Sequence, residues 1–294
     1  MTEIKCKICA STCHFICAKH GKLFHEFCYN LYHCPHCDFY FVSNPNRNFD
    51  KIYDKKYYCG EGADPLIDYI FEIENPDTTI RIFEYEGILE IIQNVVGKNE
   101  KIEWLDLGCG TGGLIRYVQN HSNFSIKGYD SGCGATLAKE RGIDILSEKE
   151  FLNSNQKFNV ITAIETLEHV DNPKEFLQIV EKCLKPGGIF FFTTGNAEPF
   201  FKNICKWNYF IPDIHISLFC EKSIERLHEI VGLDYVHLSE KEKSGWVAIY
   251  KYKILKNLKI KKTNFIFKFI PWRLVFCFFD AKLKLSWGIG IKRR

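Results

Sequence analysis

The chain has 294 residues, 46% hydrophobic and 26% charged, which are the values of a globular protein and not of a disordered one. No run reaches the roughly 18 apolar residues of a membrane span, and the polar opening through Lys7 lacks the apolar core of a signal peptide, so a soluble cytoplasmic protein is expected. The net charge of +3 is uneven: residues 251–294 hold 13 Lys/Arg against the lone acidic Asp280, a tail of +12 on a body of −9, and an acidic body suits a nucleic-acid backbone poorly.

Residues 1–45 form the first unit. Two C-x-x-C pairs, Cys6 with Cys9 and Cys34 with Cys37, have the spacing of a tetrahedral zinc site, each knuckle presenting two sulfurs to one ion. Four thiolates close the shell, so this zinc reads as structural. Cys13, Cys17, Cys28 and the histidines His14, His25, His33 and His36 stay open as replacement ligands, and Cys13 and Cys17 are alternatively small buried apolar residues. Without a secretion signal, a disulfide framework is not expected. Phe39-Tyr40-Phe41-Val42 reads as the last strand of a ribbon, closed by the turn Ser43-Asn44-Pro45-Asn46.

Residues 46–100 read as a helical, aromatic linker or lid. Tyr53, Tyr57, Tyr58 and Tyr69 precede an apolar face through Ile82, Phe83, Ile88, Leu89, Ile91 and Ile92. Packing is the ordinary role of such tyrosines; covering a cofactor is the other.

The third unit, residues 101–253, begins with the most informative stretch, Glu103-Trp104-Leu105-Asp106-Leu107-Gly108-Cys109-Gly110-Thr111-Gly112-Gly113, a buried strand running into glycines and then a helix over 114–120. Glycines there allow a tight turn and let a ligand lie against bare backbone at a helix N-terminus. The next strand, 125–129, ends in Asp130, placed to accept the hydroxyls of a ribose. Gly108, Gly110 and Gly113 also satisfy the dinucleotide pattern, so a nicotinamide enzyme is a competing reading.

Downstream come the strand Phe158-Asn159-Val160-Ile161-Thr162-Ala163-Ile164 ending at Glu165, then Thr166-Leu167-Glu168-His169-Val170, a helix to Leu184, Lys185-Pro186-Gly187-Gly188 and the strand 189–193. In this order, with the D-x-G-x-G-x-G loop, residues 104–250 resemble a class I S-adenosylmethionine-dependent methyltransferase. The resemblance implies an α/β, Rossmann-like sheet of seven strands, the last antiparallel. It implies that Asp106, Gly108, Gly110 and Gly112 surround the methionine part of S-adenosylmethionine, that Asp130 holds the ribose, and that Glu165 meets the cofactor's far side. The Asp that often holds the adenine has no clear equivalent in 147–152, which leaves stacking or backbone contact near Phe151. With the zinc module, the layout resembles bacterial enzymes that methylate sugars or other small molecules in surface-polysaccharide or natural-product pathways.

Methyl transfer needs an in-line approach and, for a hydroxyl acceptor, a base. His169, in the E-H-V segment, and His215, in Ile211-Pro212-Asp213-Ile214-His215-Ile216-Ser217-Leu218-Phe219, are the two candidates, and His215 is preferred by position. Glu198, Phe200, Phe201, Trp207 and Tyr209 are expected to line an acceptor pocket or a lid over it.

Residues 233–240 and 246–253 read as a terminal antiparallel hairpin turning at Lys243-Ser244-Gly245, with 254–294 as a basic aromatic extension. That extension either wraps back on the domain or covers a dimer interface, meets an anionic membrane carrying lipid-linked acceptors, or contributes a last strand over 287–292 instead. The functional expectation is methyl transfer to a small molecule, possible carriers being nucleotide- or lipid-linked sugars. RNA methylation using the zinc module and tail, and a non-catalytic binding module, are the alternatives.

Overall fold

The computed structural model describes residues 3–63, 68–98, 100–153, 156–238, 245–264 and 285–293, together with Phe267, Ile270 and Trp272. Three antiparallel strands open the chain: β1 (His14–His20), β2 (Cys28–Cys34) and β3 (Phe39–Val42). Two single-turn helices, α1 (Phe49–Ile52) and α2 (Lys55–Tyr58), follow, capped by Asn48 and Asp54. Then come α3 (Tyr69–Glu74) and α4 (Ile82–Val96).

Strands and helices next alternate: β4 (Glu103–Leu107), α5 (Gly113–His121), β5 (Ser125–Tyr129), α6 (Gly134–Glu140), α7 (Glu148–Asn153), β6 (Phe158–Ile164), α8 (Pro173–Cys183) and β7 (Leu184–Gly195). Asn172 caps α8, with Pro173 at its first position, where a missing N–H costs nothing. The chain ends with β8 (Ser217–Leu218), α9 (Glu221–Val231), β9 (Leu233–His237), α10 (Trp246–Asn257) and β10 (Leu285–Lys292).

The central sheet has the order β5-β4-β6-β7-β10-β9. The first four strands are mutually parallel, as buried apolar runs joined by helices require, and β10 runs antiparallel to both its neighbours. Trp104, Val160, Phe190, Phe191 and Phe192 are fully buried. Six strands are described where the resemblance implies seven; outside β5 a single parallel bridge, Gly128 with Ile145, takes the seventh place.

The expected terminal hairpin is corrected. Residues 246–257 are helix α10, not a strand, and the antiparallel strand is β10 from the far end of the tail. The aromatic and β-branched residues of 246–253 suggest a strand, but Ile249 and Tyr250 are buried in one apolar cluster with Ile88, Leu89, Ile91 and Ile92 of α4, and this packing overrides propensity. β10 pairs along both edges, with Ile289 opposite Phe191 on one side and Val236 on the other. Before it, Phe267 and Trp272 pack on Ile80, Tyr252 and Leu255, as a tail folded back on the domain would. The tail aromatics Phe265, Phe269, Phe276, Phe278 and Phe279 lie outside the described residues.

The cysteine module is built into the same body. β3 pairs with β8, so the module's sheet has the order β1-β2-β3-β8, and Cys34, Cys37, Phe39 and Phe41 share one apolar core with Leu105, Phe158 and Phe190. Cys17, expected as a free thiol or ligand, instead forms a disulfide with Cys205, which the sequence spacing of 188 residues does not suggest.

Candidate functional site

The last residue but one of β4 is Asp106, 4% exposed, whose carboxylate accepts the Thr162 hydroxyl at 2.6 Å; Thr162 in turn accepts the indole N–H of Trp104 at 2.9 Å. Burial pushes the Asp106 carboxyl up to about 7, the Thr162 hydrogen bond opposing it. The chain then turns through Gly108, Gly110 and Gly112 at φ of +72°, +53° and +78°, a left-handed run that disfavours residues with a Cβ. The loop's opening is pinned by the Gly108 N–H on the Tyr129 carbonyl at 2.8 Å.

Asp130, one residue past β5, accepts the N–H of Gly110 at 2.8 Å and of Gly132 at 2.7 Å, one on each carboxylate oxygen. Each oxygen keeps acceptor capacity, which is what two ribose hydroxyls require. Burial raises its carboxyl, and the two N–H groups oppose the rise. The tyrosines roof this loop: Tyr58 is buried against Gly132 and Gly134, Tyr69 lies beside Gly110, and their rings are 5.4 Å apart. Phe151 is a packing residue, stacked on Tyr129 at 4.2 Å. On the α5 side an open cleft borders Thr111, Gly112, Gly113, Tyr85 and Glu72.

Glu165 follows β6 with φ +50°, a strained position for a residue with a side chain. Its N–H donates to the Thr193 carbonyl at 3.0 Å, and a carboxylate oxygen lies 3.5 Å from Lys253 Nζ. Burial works against its charge, but Lys253 and Lys256 win and hold it down to about 2. Lys253 also faces Glu84 at 3.7 Å, which pairs with Arg81 at 2.8 Å. Sequence reading missed this ionic cluster, because its members come from the start of α4, the end of β6 and α10, far apart along the chain.

Glu168, 1% exposed, accepts hydroxyls from Thr194 at 2.9 Å and Tyr209 at 2.5 Å. Burial first, and the charge of Glu165 second, raise its carboxyl to about 8. Beside it, His169 donates Nδ1–H to the Ile214 carbonyl at 3.0 Å, and burial lowers it to about 3, so it is neutral. His215, 5% exposed, donates Nδ1–H to the Tyr209 carbonyl, which leaves Nε2 as its basic nitrogen. One donor atom from each of Glu168, His169 and His215 lies within 4.8 Å of the others, and the histidine rings meet edge to face at 5.0 Å. The two candidate bases are therefore neighbours, and Glu168 is the partner that the sequence did not single out. Phe200, Trp207, Tyr209 and His215 form a continuous ring stack with spacings of 4.7, 4.8 and 4.2 Å. Phe201 turns instead to Tyr40, and Glu198 is exposed, so neither lines that stack.

Cys6, Cys9, Cys34 and Cys37 form the other gathered group. Their sulfurs are 3.5 to 3.7 Å apart, against about 3.8 Å across a tetrahedral shell of zinc–sulfur bonds of about 2.3 Å. The Ile8 N–H points at the Cys6 sulfur at 3.4 Å, as a knuckle should. Cys13 lies outside the group, its thiol held protonated by burial, and His33 is engaged by Asp38 at 3.3 Å and stacked on Tyr40.

Residues 81–238 match a protein-family model described as a methyltransferase domain. The chain is 36% identical over 107 residues to the ubiquinone biosynthesis O-methyltransferase of Caulobacter vibrioides, covering 33% of this chain and 42% of that one. It is 34% identical over 119 residues to the enzyme of the same name from Rickettsia canadensis, with coverage of 38% and 50%. The chain thus spans about half the length of the curated relatives it matches. Among solved structures it resembles the plantazolicin methyltransferase BamL in complex with a triazolic desmethylPZN analog and SAH, with a TM-score of 0.51, 15% identity and coverage of 81% and 94%. Phosphoethanolamine N-methyltransferase 2 of Haemonchus contortus, in complex with S-adenosyl-L-methionine, gives 0.52, 15%, 87% and 62%. At these identities the likeness is one of fold. The family match takes in more than half of the chain, including the glycine loop, Asp130 and the Glu165–His169 segment, and the chain belongs to the methyltransferase-domain family.

Proposed function

We propose that this chain transfers a methyl group from S-adenosylmethionine to a hydroxyl of a small-molecule acceptor, a nucleotide- or lipid-linked sugar being the first class to try. The observation that carries this reading is Asp130, a half-buried carboxylate fixed by Gly110 and Gly132 at the mouth of a left-handed glycine loop. The O-methyltransferase names of the curated relatives support hydroxyl chemistry on a small molecule. Lipid-linked acceptors would meet the protein through its basic tail, in surface-polysaccharide or natural-product synthesis; no helix of the described residues is long and apolar enough to cross a membrane.

The sulfonium of S-adenosylmethionine supplies an activated methyl carbon. Asp130 takes the ribose, Gly108 to Gly112 leave backbone bare beside the methionine part, and ionised Glu165 faces its positive charge. His215 Nε2 takes the proton from the acceptor hydroxyl, its tautomer set by the Tyr209 carbonyl. Glu168 and neutral His169 lie beside it, so the proton arrives among polar groups and not against an apolar wall. Zinc on the four cysteines is part of the same reading, in a closed structural shell.

Calorimetry with S-adenosylhomocysteine on zinc-assayed protein tests the cofactor site. Wild type is expected to bind, and Asp130→Ala to bind on the order of 10- to 100-fold more weakly, the worth of hydrogen bonds to a charged group. No binding by folded, zinc-loaded wild type overturns the reading.

A further inference from the structure

We propose that the cysteine module is a working part of the acceptor half, setting the place of His215 through Asp213. This rests on the reading of His215 as the base. Asp213 is 3% exposed and accepts three successive backbone N–H groups of the module, from Lys22 at 2.5 Å, Leu23 at 3.2 Å and Phe24 at 3.3 Å. The Tyr29 hydroxyl, also from the module and fully buried, donates to the same carboxylate at 3.0 Å. Successive N–H groups of this kind form a nest, a concavity that holds an anion. Gly21 opens the nest: a side chain there would stand 2.2 Å from the Asp213 carboxylate.

Asp213 and His215 belong to one tight turn, closed by the N–H groups of Ile214 and His215 on the Ile211 carbonyl at 3.0 and 2.7 Å. Moving the first therefore moves the second. The module grips the same segment elsewhere. Lys19 donates to the Phe210 carbonyl at 2.6 Å, Val42 to the Ile216 carbonyl at 2.9 Å, β3 pairs with β8, and Cys17 is bonded to Cys205. From the opposite side Ile216 donates to the Glu168 carbonyl at 2.8 Å. The His215 turn is thus clamped between the cysteine module and the Glu168–His169 segment, and none of these grips falls on Asp106, the glycine loop or Asp130. Asp213 is a positioning residue, and the module tunes the acceptor step independently of cofactor binding.

The test uses the full, zinc-loaded chain and its Asp213→Ala, Asp213→Asn and Tyr29→Phe variants, read by hydrogen exchange, by nitrogen NMR of labelled histidine and by calorimetry with S-adenosylhomocysteine. Asp213→Ala is expected to lower amide protection over 211–218 by about tenfold or more, the effect of losing one well-made charged hydrogen bond. It should also shift the His215 ring-nitrogen signals away from the single Nδ1–H tautomer, while cofactor affinity and protection of β4 and β5 stay within about twofold. Asp213→Asn, which keeps one acceptor oxygen, should recover part of both changes. Tyr29→Phe, removing one of the four donors, gives a smaller change of the same kind and keeps the test decisive should Asp213→Ala not fold. Unchanged His215 signals in a folded Asp213→Ala or Tyr29→Phe protein overturn the proposal, as does equal loss over 211–218 and over β4 and β5. Wild type that fails to bind S-adenosylhomocysteine while Asp213→Ala still frees the turn would sink the methyl-transfer reading alone.

Discussion

The proposed cofactor half and the proposed acceptor half of this molecule are built by opposite means. Asp106, the glycine loop and Asp130 come from one contiguous strand–turn–helix–strand unit, held mostly by backbone hydrogen bonds. The acceptor half gathers Glu168, His169, Tyr209, Asp213 and His215, and depends on strands β1 to β3 and residues 22–24 from the other end of the chain. A local unit survives changes elsewhere, whereas an assembled one inherits the stability of every part it borrows.

The strongest blow to that contrast is removal of the proposed metal. Stripping zinc from the four-cysteine site, or replacing the fully buried Cys34 by serine, is expected to cost on the order of several kcal/mol, because the ion would be what holds the four sulfurs together. Hydrogen exchange should show β1 to β3 and 205–218 opening together, with β4 and β5 still protected; simultaneous loss of both halves would erase the distinction.

Next in size is the pH response of the cofactor half. Asp106 has a folded value of about 7, above that of the unfolded chain, so its contribution to stability is fully present below about pH 4 and is lost as pH rises through about 7. His169 acts in the other direction: its folded value of about 3 lies below the unfolded one, so its contribution is present above about pH 6.5 and lost as pH falls toward 3. Urea midpoints of wild type minus Asp106→Asn, taken between pH 5 and 8, isolate the Asp106 part, and the difference should fall with pH by up to a few kcal/mol. A flat difference would show that Asp106 is ionised throughout.

Asp130→Ala should separate the halves again, weakening the cofactor by roughly 1.5–3 kcal/mol while hydrogen exchange over 211–218 is unaltered. Tyr209→Phe is the mirror change on the acceptor side. It removes the hydroxyl donated to Glu168 and should cost about 1 kcal/mol in denaturant unfolding, with cofactor affinity preserved. At the bottom of the scale, Lys222→Ala breaks an exposed pair with Asp38 and should shift stability by less than about 0.5 kcal/mol, so any larger effect would mean that the module is coupled through its surface as well.

Much of the cofactor half was legible in residues alone. Glycines at φ above +50°, the strand before them and the acid after the next strand all follow from a contiguous pattern, as does the spacing of the four cysteines. The acceptor half was legible only as two histidines in plausible segments. Glu168 and Asp213 gave no signal, since a single acid in a polar stretch is usually solvated, and nothing in the sequence says that Asp213 meets an N–H nest 189 to 191 residues earlier.

By itself, the sequence determined the parallel strand–helix alternation from β4 to β7, the glycine loop and the paired knuckles, because each is written in short-range periodicity, turn chemistry or ligand spacing. Tertiary structure alone decided that residues 246–257 coil against α4, that the last strand comes from 285–292, and that Cys17 pairs with Cys205. It also decided which histidine sits beside which acid. The physical reason is common to all of these: strand partners, buried ion pairs and disulfides are chosen by burial and by the satisfaction of backbone groups between distant segments, and no local propensity carries that information.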